Sequence, residues 1–308
     1  MHSSFATTVF CAVTSLLSTV CCAQTVTHLQ ATSQGFLIVE VSINGSATHP
    51  FFLDTGSNRT LVRTELLESL GIVPGDQVPV HSPTGTSYVR QTLVSSVAVA
   101  GLAVHDIQVE GIDAGQMSKL GVSFEGVLGE DFLKHFDILI DNHAKTLTLD
   151  ASPELSHSLA GYHLPLSFSG SRGGISTKNR LVFDLKLPSS NEIKHFLLDS
   201  GADHILFFPD KPLIFQARSL PNGTLQTLGG SGRCHSASVP IVIGIETLPE
   251  EKLGFCEGLR GNTDVDGTMP TSTFNRLFIS HAGAYAITNP RLQKHLQGKQ
   301  PALSSGRE

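Results

Sequence analysis

Two aspartates carry the chemistry open to this sequence. Asp54 ends the apolar run Phe51-Phe52-Leu53 and is followed by Thr55-Gly56-Ser57-Asn58. Asp199 ends Phe196-Leu197-Leu198 and is followed by Ser200-Gly201-Ala202-Asp203, 145 positions later (199 minus 54). A single copy has a bland explanation, because Asp and Gly are ordinary turn residues. Two copies with matched flanks describe a paired site. A carboxylate is held beside its twin only by a stiff strand that ends in a sharp turn, which glycine at Gly56 and Gly201 permits. The hydroxyls of Thr55 and Ser200 can then hydrogen-bond across the pair. Two carboxylates that close cannot both ionise, so they share a proton. One serves as base toward a water while the other serves as acid toward a carbonyl.

The elements that must position this pair also occur twice. Phe36 to Ile43 is β-rich, Asn44-Gly45 is a turn signal, and the strand bearing Asp54 follows. Leu181 to Leu187, a turn over Pro188 to Asn191 and the strand bearing Asp199 repeat the pattern. Thr64 to Gly71 reads as a short amphipathic helix, and Val80 to Ser87 as a hairpin tip. A Gly/Ser-rich tip at Leu228 to Arg233 stands in the corresponding place. Each half then closes: Gly126-Val127-Leu128-Gly129 leads to a short helix and the strands Phe136 to Asp141 and Lys145 to Leu149. Gly267-Thr268-Met269-Pro270 leads to Phe274 to Ser280 and Tyr285 to Asn289. The distance from Asp to the closing Gly is 72 in the first half (126 minus 54) and 68 in the second (267 minus 199). Glu130, Asp131, Asp137 and Asp141 are expected as helix-start and solvent-facing groups. The expected architecture is all-β, with two similar domains and short helices.

On these residues the chain resembles the retropepsin-like aspartic proteases, with both halves of the usual two-fold unit in one chain. The resemblance covers nearly everything after residue 23. It implies two retropepsin-like domains about a pseudo-two-fold axis and peptide-bond hydrolysis by an aspartic-type endopeptidase, with Asp54 and Asp199 as catalytic residues. No metal or organic cofactor is implied, because water is the nucleophile. By the same resemblance the Val80 to Ser87 hairpin is a flap, with Thr84 and Gly85 over the substrate. Ala202 lines the cleft, Asp203 bonds the substrate main chain, and Asn58 occupies the equivalent place in the first half. The substrate is an extended peptide or protein segment, and one chain supplying both halves implies a monomer. One departure stands out: Thr268-Met269-Pro270 occurs where the family has two apolar residues and Gly. It motivates an alternative, a secreted peptide-binding or scaffold protein that keeps the fold without turnover.

The ends and composition complete the outline. Residues 1–23 contain no Lys, Arg, Asp or Glu, and Val9 to Val20 is mostly apolar before Cys21-Cys22-Ala23. That pattern predicts a signal peptide cut before Gln24 and a secreted or periplasmic location; a lipid-modified Cys21 or Cys22 is the alternative. Domains are expected at 24–150 and 162–290, joined by a linker at 151–161 and followed by a mobile tail at 291–308. No later stretch is long enough for a membrane span. The net charge of −6, without clustered Lys and Arg, argues against nucleic acid. Of five cysteines, Cys234 and Cys256 lie beyond the signal; a disulfide between them is expected, with two separate buried thiols as the alternative. The 14 His show no metal-ligand spacing, so no metal site is expected.

Overall fold

The structure, a computed structural model, describes residues 24–33, 35–117, 124–167, 171–172, 175–176, 180–186, 192–209, 220–227, 230–256, 259 and 264–293. The predicted signal peptide and the end of the predicted tail lie outside these residues.

Apolar alternation and turn glycines give two sheets of the same strand order. In the first half these are β2 (Leu37–Ile43), β3 (His49–Leu53), β4 (Leu61–Arg63), β5 (Gln77–Ser82), β6 (Gly85–Val99), β7 (Leu102–Ile112) and β8 (Gly126–Leu128), after an edge strand β1 (Gln24–His28). Their order is β2-β3-β8-β4-β7-β6-β5, with β2 also pairing β6. Two more strands follow, β9 (Asp137–Asp141) and β10 (Thr146–Asp150). The second half supplies β11 (Val182–Lys186), β12 (Ile193–Asp199), β13 (Ile205–Phe207), β14 (Leu220–Thr227), β15 (Gly230–Ile243), β16 (Glu246–Phe255) and β17 (Gly267–Pro270). Its order, β11-β12-β17-β13-β16-β15-β14 with β11 also pairing β15, repeats the first step for step.

The register shows how closely the halves correspond. Phe51 to Leu53 run parallel to Gly126 to Leu128, and Phe196 to Asp199 run parallel to Gly267 to Pro270. Leu61 pairs Val127 as Leu206 pairs Thr268. Ile38 pairs Phe52 as Val182 pairs Leu197. The short helices α1 (Thr64–Ser69) and α2 (Glu130–Leu133) form where the sequence places them.

The halves are joined by one sheet that neither could make alone. Strands β1, β10 and β9 continue into β18 (Arg276–Ser280), β19 (Tyr285–Thr288) and the two-residue strand Leu164–Pro165. At its centre Ile138 pairs Ile279, Leu139 pairs Phe278 and Ile140 pairs Leu277. These strands are apolar on both faces because both are covered. Phe51, Leu53, Leu128 and Phe132 share one continuous core with Phe196, Leu198, Met269 and Phe274.

The segment 151–161 is more than a bare connection. It carries the helix Glu154–Ser158, whose first turn is held by the Asp150 carboxylate through Leu155 N–H at 2.7 Å. Leu155 and Leu159 pack on Leu139, Phe278 and Ile287, and Leu159–Ala160 pairs Arg291–Leu292. The segment is fixed because its leucines find an apolar surface that exists only once the joining sheet has formed. For the same reason order extends past residue 290.

Candidate active site

Strands β3 and β12 deliver Asp54 and Asp199 to the same point. Four hydrogen bonds cross between the loops: Thr55 N–H donates to Ser200 Oγ (2.9 Å) and Ser200 N–H to Thr55 Oγ1 (3.0 Å), while the Thr55 hydroxyl donates to Leu198 O (2.9 Å) and the Ser200 hydroxyl to Leu53 O (2.7 Å). Every polar atom of the two hydroxyls is used, which is what their burial requires. This lattice fixes the distance between the strands that carry the carboxylates. Close approach explains the glycines: a Cβ on Gly201 would lie 2.7 Å from Asp54 Oδ1, and one on Gly56 would collide with the Asp199 carboxyl.

The two carboxyls face each other closely enough that the charge of Asp54 raises the proton affinity of Asp199. Burial raises the pKa of both. For Asp199 the neighbouring Asp54 charge adds to burial and carries it well above the ordinary range. The asymmetry has a visible source. Asp54 Oδ1 accepts from Gly56 N–H (2.8 Å) and Ser57 N–H (3.0 Å), whereas Asp199 Oδ1 accepts from Gly201 N–H alone (2.8 Å). Two donors against one favour the ionised form more at Asp54 than at Asp199.

Beneath Asp54 lies a polar clamp. Gly129 N–H donates to Thr60 Oγ1 (3.2 Å), the Thr60 hydroxyl donates to Asp131 Oδ1 (2.6 Å), and Thr60 N–H donates to Asp131 Oδ2 (3.0 Å). Beneath Asp199 the register puts Pro270 in the place of Gly129 and Ile205 in the place of Thr60. Proline has no N–H to satisfy, and isoleucine has no oxygen to offer. The departure seen in the sequence is therefore matched by its neighbour, and the Thr55–Ser200 lattice keeps equivalent bonds on both sides.

Residues 39–132 match the aspartyl protease family. The repeated strand order and paired Asp loops extend that likeness beyond the matched segment. The fold is retropepsin-like. No curated protein matches the chain. Among solved structures, a retropepsin-like aspartic protease from Rickettsia conorii is similar at 17% identity, over 41% of this chain and 91% of that one, with a TM-score of 0.33.

The tips of the two hairpins meet each other. Ser82 Oγ lies 2.9 Å from Thr227 Oγ1, and Thr84 Oγ1 contacts the same hydroxyl. Gly85 opens β6 beside it. Leu228 and Gly229 of the second tip lie outside the described residues. Asn58 is exposed and Ala202 half-buried on the loops beyond the Asp pair. Asp203, exposed, pairs with His204 at 2.9 Å. Cys234 and Cys256 form a disulfide, with Cα atoms 4.2 Å apart. Among the described residues no three His, Cys, Asp or Glu side chains converge as cation ligands would, and no helix is long and apolar enough to cross a membrane.

Several acidic groups expected at the surface are buried. Glu130 is 1% exposed, Asp131 4% and Asp137 8%. Glu130 faces His281 Nε2 at 2.8 Å, and His281 Nδ1 lies 2.6 Å from the Phe136 carbonyl. Both ring nitrogens face acceptors, the arrangement of an imidazolium. Burial works against its charge, yet Glu130, the Phe136 carbonyl and Asp137 hold its pKa above the ordinary value. Glu130 N–H donates to Ser57 O (2.8 Å), so this pair braces the loop after Asp54 against the second half. His281 lies 151 positions from Glu130, and no local pattern announces the contact.

Proposed function

We propose that the protein is an aspartic-type endopeptidase that hydrolyses peptide bonds with a water held between Asp54 and Asp199. The observation that carries this reading is the pair of half-buried carboxyls brought together by the Thr55–Ser200 lattice, with unequal numbers of N–H donors on its two members. Asp54, ionised, takes a proton from the water as its oxygen bonds to the carbonyl carbon. Asp199 gives its proton to the carbonyl oxygen. The resulting gem-diol collapses as Asp54 returns its proton to the leaving nitrogen, the C–N bond breaks, and one diol hydroxyl returns a proton to Asp199. The dyad ends as it began.

A substrate would lie extended beneath the two hairpin tips, paired through its main chain as an added strand. Asn58, Ala202 and Asp203 would hold it from below, with Thr84 and Gly85 above. The protein acts as a monomer, exported by the signal at residues 1–23, with domains at 24–150 and 162–290. Accommodation of Pro270 by Ile205 favours this reading over a scaffold without turnover.

Cleavage of a diverse peptide library by the purified protein, beside Asp54→Asn and Asp199→Asn, tests the assignment. The expected result is activity in an acidic window, lost in both folded variants. Activity that survives both substitutions, or a rate unchanged between pH 3 and 8, overturns it.

A further inference from the structure

The faces of β3 and β12 that carry the two Asp continue into unlike surfaces. Along β3 and its neighbours, Phe36, Ile38, Phe52, Leu61, Phe124 and Val127 form a wholly apolar cluster, with the Phe36 and Phe52 rings 5.1 Å apart and Phe52 and Phe124 5.5 Å apart. The pairing of Ile38 with Phe52 and of Val182 with Leu197 puts Arg180 where the first half has Phe36. Matching bonds, Glu125 N–H to Pro50 O and Asp266 N–H to His195 O, put Val265 where it has Phe124. Leu206 and Thr268 replace Leu61 and Val127.

This second surface keeps a smaller apolar patch of Val182, Leu197 and Val265 but adds polar groups that are incompletely satisfied. Arg180 Nη1 lies 3.2 Å from Asp264 Oδ1, while Arg180 Nε, Asp264 Oδ2 and Thr268 Oγ1 are buried without a hydrogen-bond partner. Three orphaned polar atoms gathered on one face call for an explanation. The Arg180 side chain remains 21% exposed, although Asp264 is almost covered. Val182 pairs Leu197 and Leu198 N–H donates to Leu181 O at 2.8 Å, so the same antiparallel pairing sets Arg180 across from Asp199, beside the proposed cleft. One guanidinium nitrogen is engaged by Asp264. The remaining donors of the fork suit a planar carboxylate.

We infer that Arg180 is a specificity-determining residue, receiving an acidic substrate side chain on the Asp199 side of the scissile bond. The inference rests on the peptidase reading for its location, but the recognition itself is a matter of binding. On the Asp54 side Phe36 closes the matching position with a ring, so the preference is one-sided.

The test uses peptides that differ only in Glu, Gln or Leu at each position flanking the scissile bond. Their kcat/KM values are read with the native protein, with Arg180→Met, and with Arg180→Met combined with Asp264→Leu. The double variant avoids leaving Asp264 buried and unpaired, so a folding failure of the single variant does not end the test. Affinity for the same peptides is read by fluorescence anisotropy in the Asp54→Asn background, independently of turnover. A charge-assisted contact predicts a preference of about tenfold for Glu over Leu at one flanking position only, with Gln between. The preference disappears without Arg180. Equal treatment of Glu and Leu by the native protein, or the same preference in the double variant, overturns the inference. Glutamate-dependent affinity without any cleavage supports Arg180 while sinking the peptidase reading; absence of both overturns both.

Discussion

The two halves share one strand order but stabilise the loop beneath each Asp in opposite ways. In the first half Gly129 offers an N–H, Thr60 accepts it, and Asp131 accepts the Thr60 hydroxyl and amide. In the second half Pro270 has no N–H, and Ile205, 3% exposed, presents hydrocarbon. Each arrangement is complete in itself, since a buried donor without an acceptor is costly while replacing both by apolar groups is nearly neutral. The motif is therefore a coupled pair of positions rather than a fixed spelling. The polar version also carries a buried carboxyl with no counterpart at the matching place: Glu110 on β7, 5% exposed, stands where the second half has Gly254.

The largest effect should come from breaking the polar version alone. Thr60→Val leaves the Gly129 N–H unpaired and strips Asp131 of its shortest hydrogen bond, costing about 3 kcal/mol. Urea unfolding of the variant beside Ile205→Val checks this. The second substitution trims one methylene and should cost about 1 kcal/mol. Equal losses would mean that the halves are not braced differently.

A further difference should appear as pH dependence. Burial raises the Glu110 pKa from 4.5 to about 7, with Asp131 adding to the rise against the opposing charge of Arg59. A folded-state pKa above the unfolded value means that the folded protein binds the proton more tightly. The associated stability is full below pH 4.5 and lost as pH rises through about 7. The shift corresponds to about 3 kcal/mol. Asp131, Asp137 and His281, all raised, contribute with the same sign. Unfolding free energies at pH 4 and pH 8 should therefore show the native protein weaker at pH 8. Glu110→Gln should remove up to that amount from the decline, and an unchanged decline would exclude Glu110 as a source.

What could be read in advance follows from range. The Asp-Thr-Gly and Asp-Ser-Gly turns, the strands that lead into them and the closing glycines are local patterns of hydrophobic alternation and turn chemistry, and they form as expected; the turn expected over Pro188 to Asn191 lies outside the described residues. The joining sheet is another matter, because nothing near Ile138 specifies Ile279 as its partner. The burial of Glu130 follows from that sheet, which brings His281 to it. An acidic residue at a helix start looks solvent-facing until a distant cation covers it. Likewise Pro270 reads as damage to the motif until the register sets Ile205 beside it. Arg180 gives no sign in the sequence of standing opposite Phe36, since the strands before the two Asp correspond only through their pairing.

The smallest effect is the most direct test of coupling between the two positions. Ile205→Thr buries a hydroxyl beneath Pro270, where no N–H awaits it, and should destabilise by about 1 to 3 kcal/mol. Pro270→Gly exposes a new N–H to Ile205, which has no acceptor, and releases the unfolded chain from proline's constraint, so it also destabilises. Together the substitutions rebuild the Thr60–Gly129 bond in the second half, the new hydroxyl accepting the new N–H. The double variant should then be more stable than the sum of its parts by about 1 kcal/mol, within the usual range for residues in contact. Additive losses would mean that Pro270 and Ile205 are independent neighbours and that the second loop is held by the Thr55–Ser200 lattice alone. A positive coupling would establish that the two halves carry alternative solutions to one problem, satisfaction of the amide immediately before α2 in one and its removal in the other.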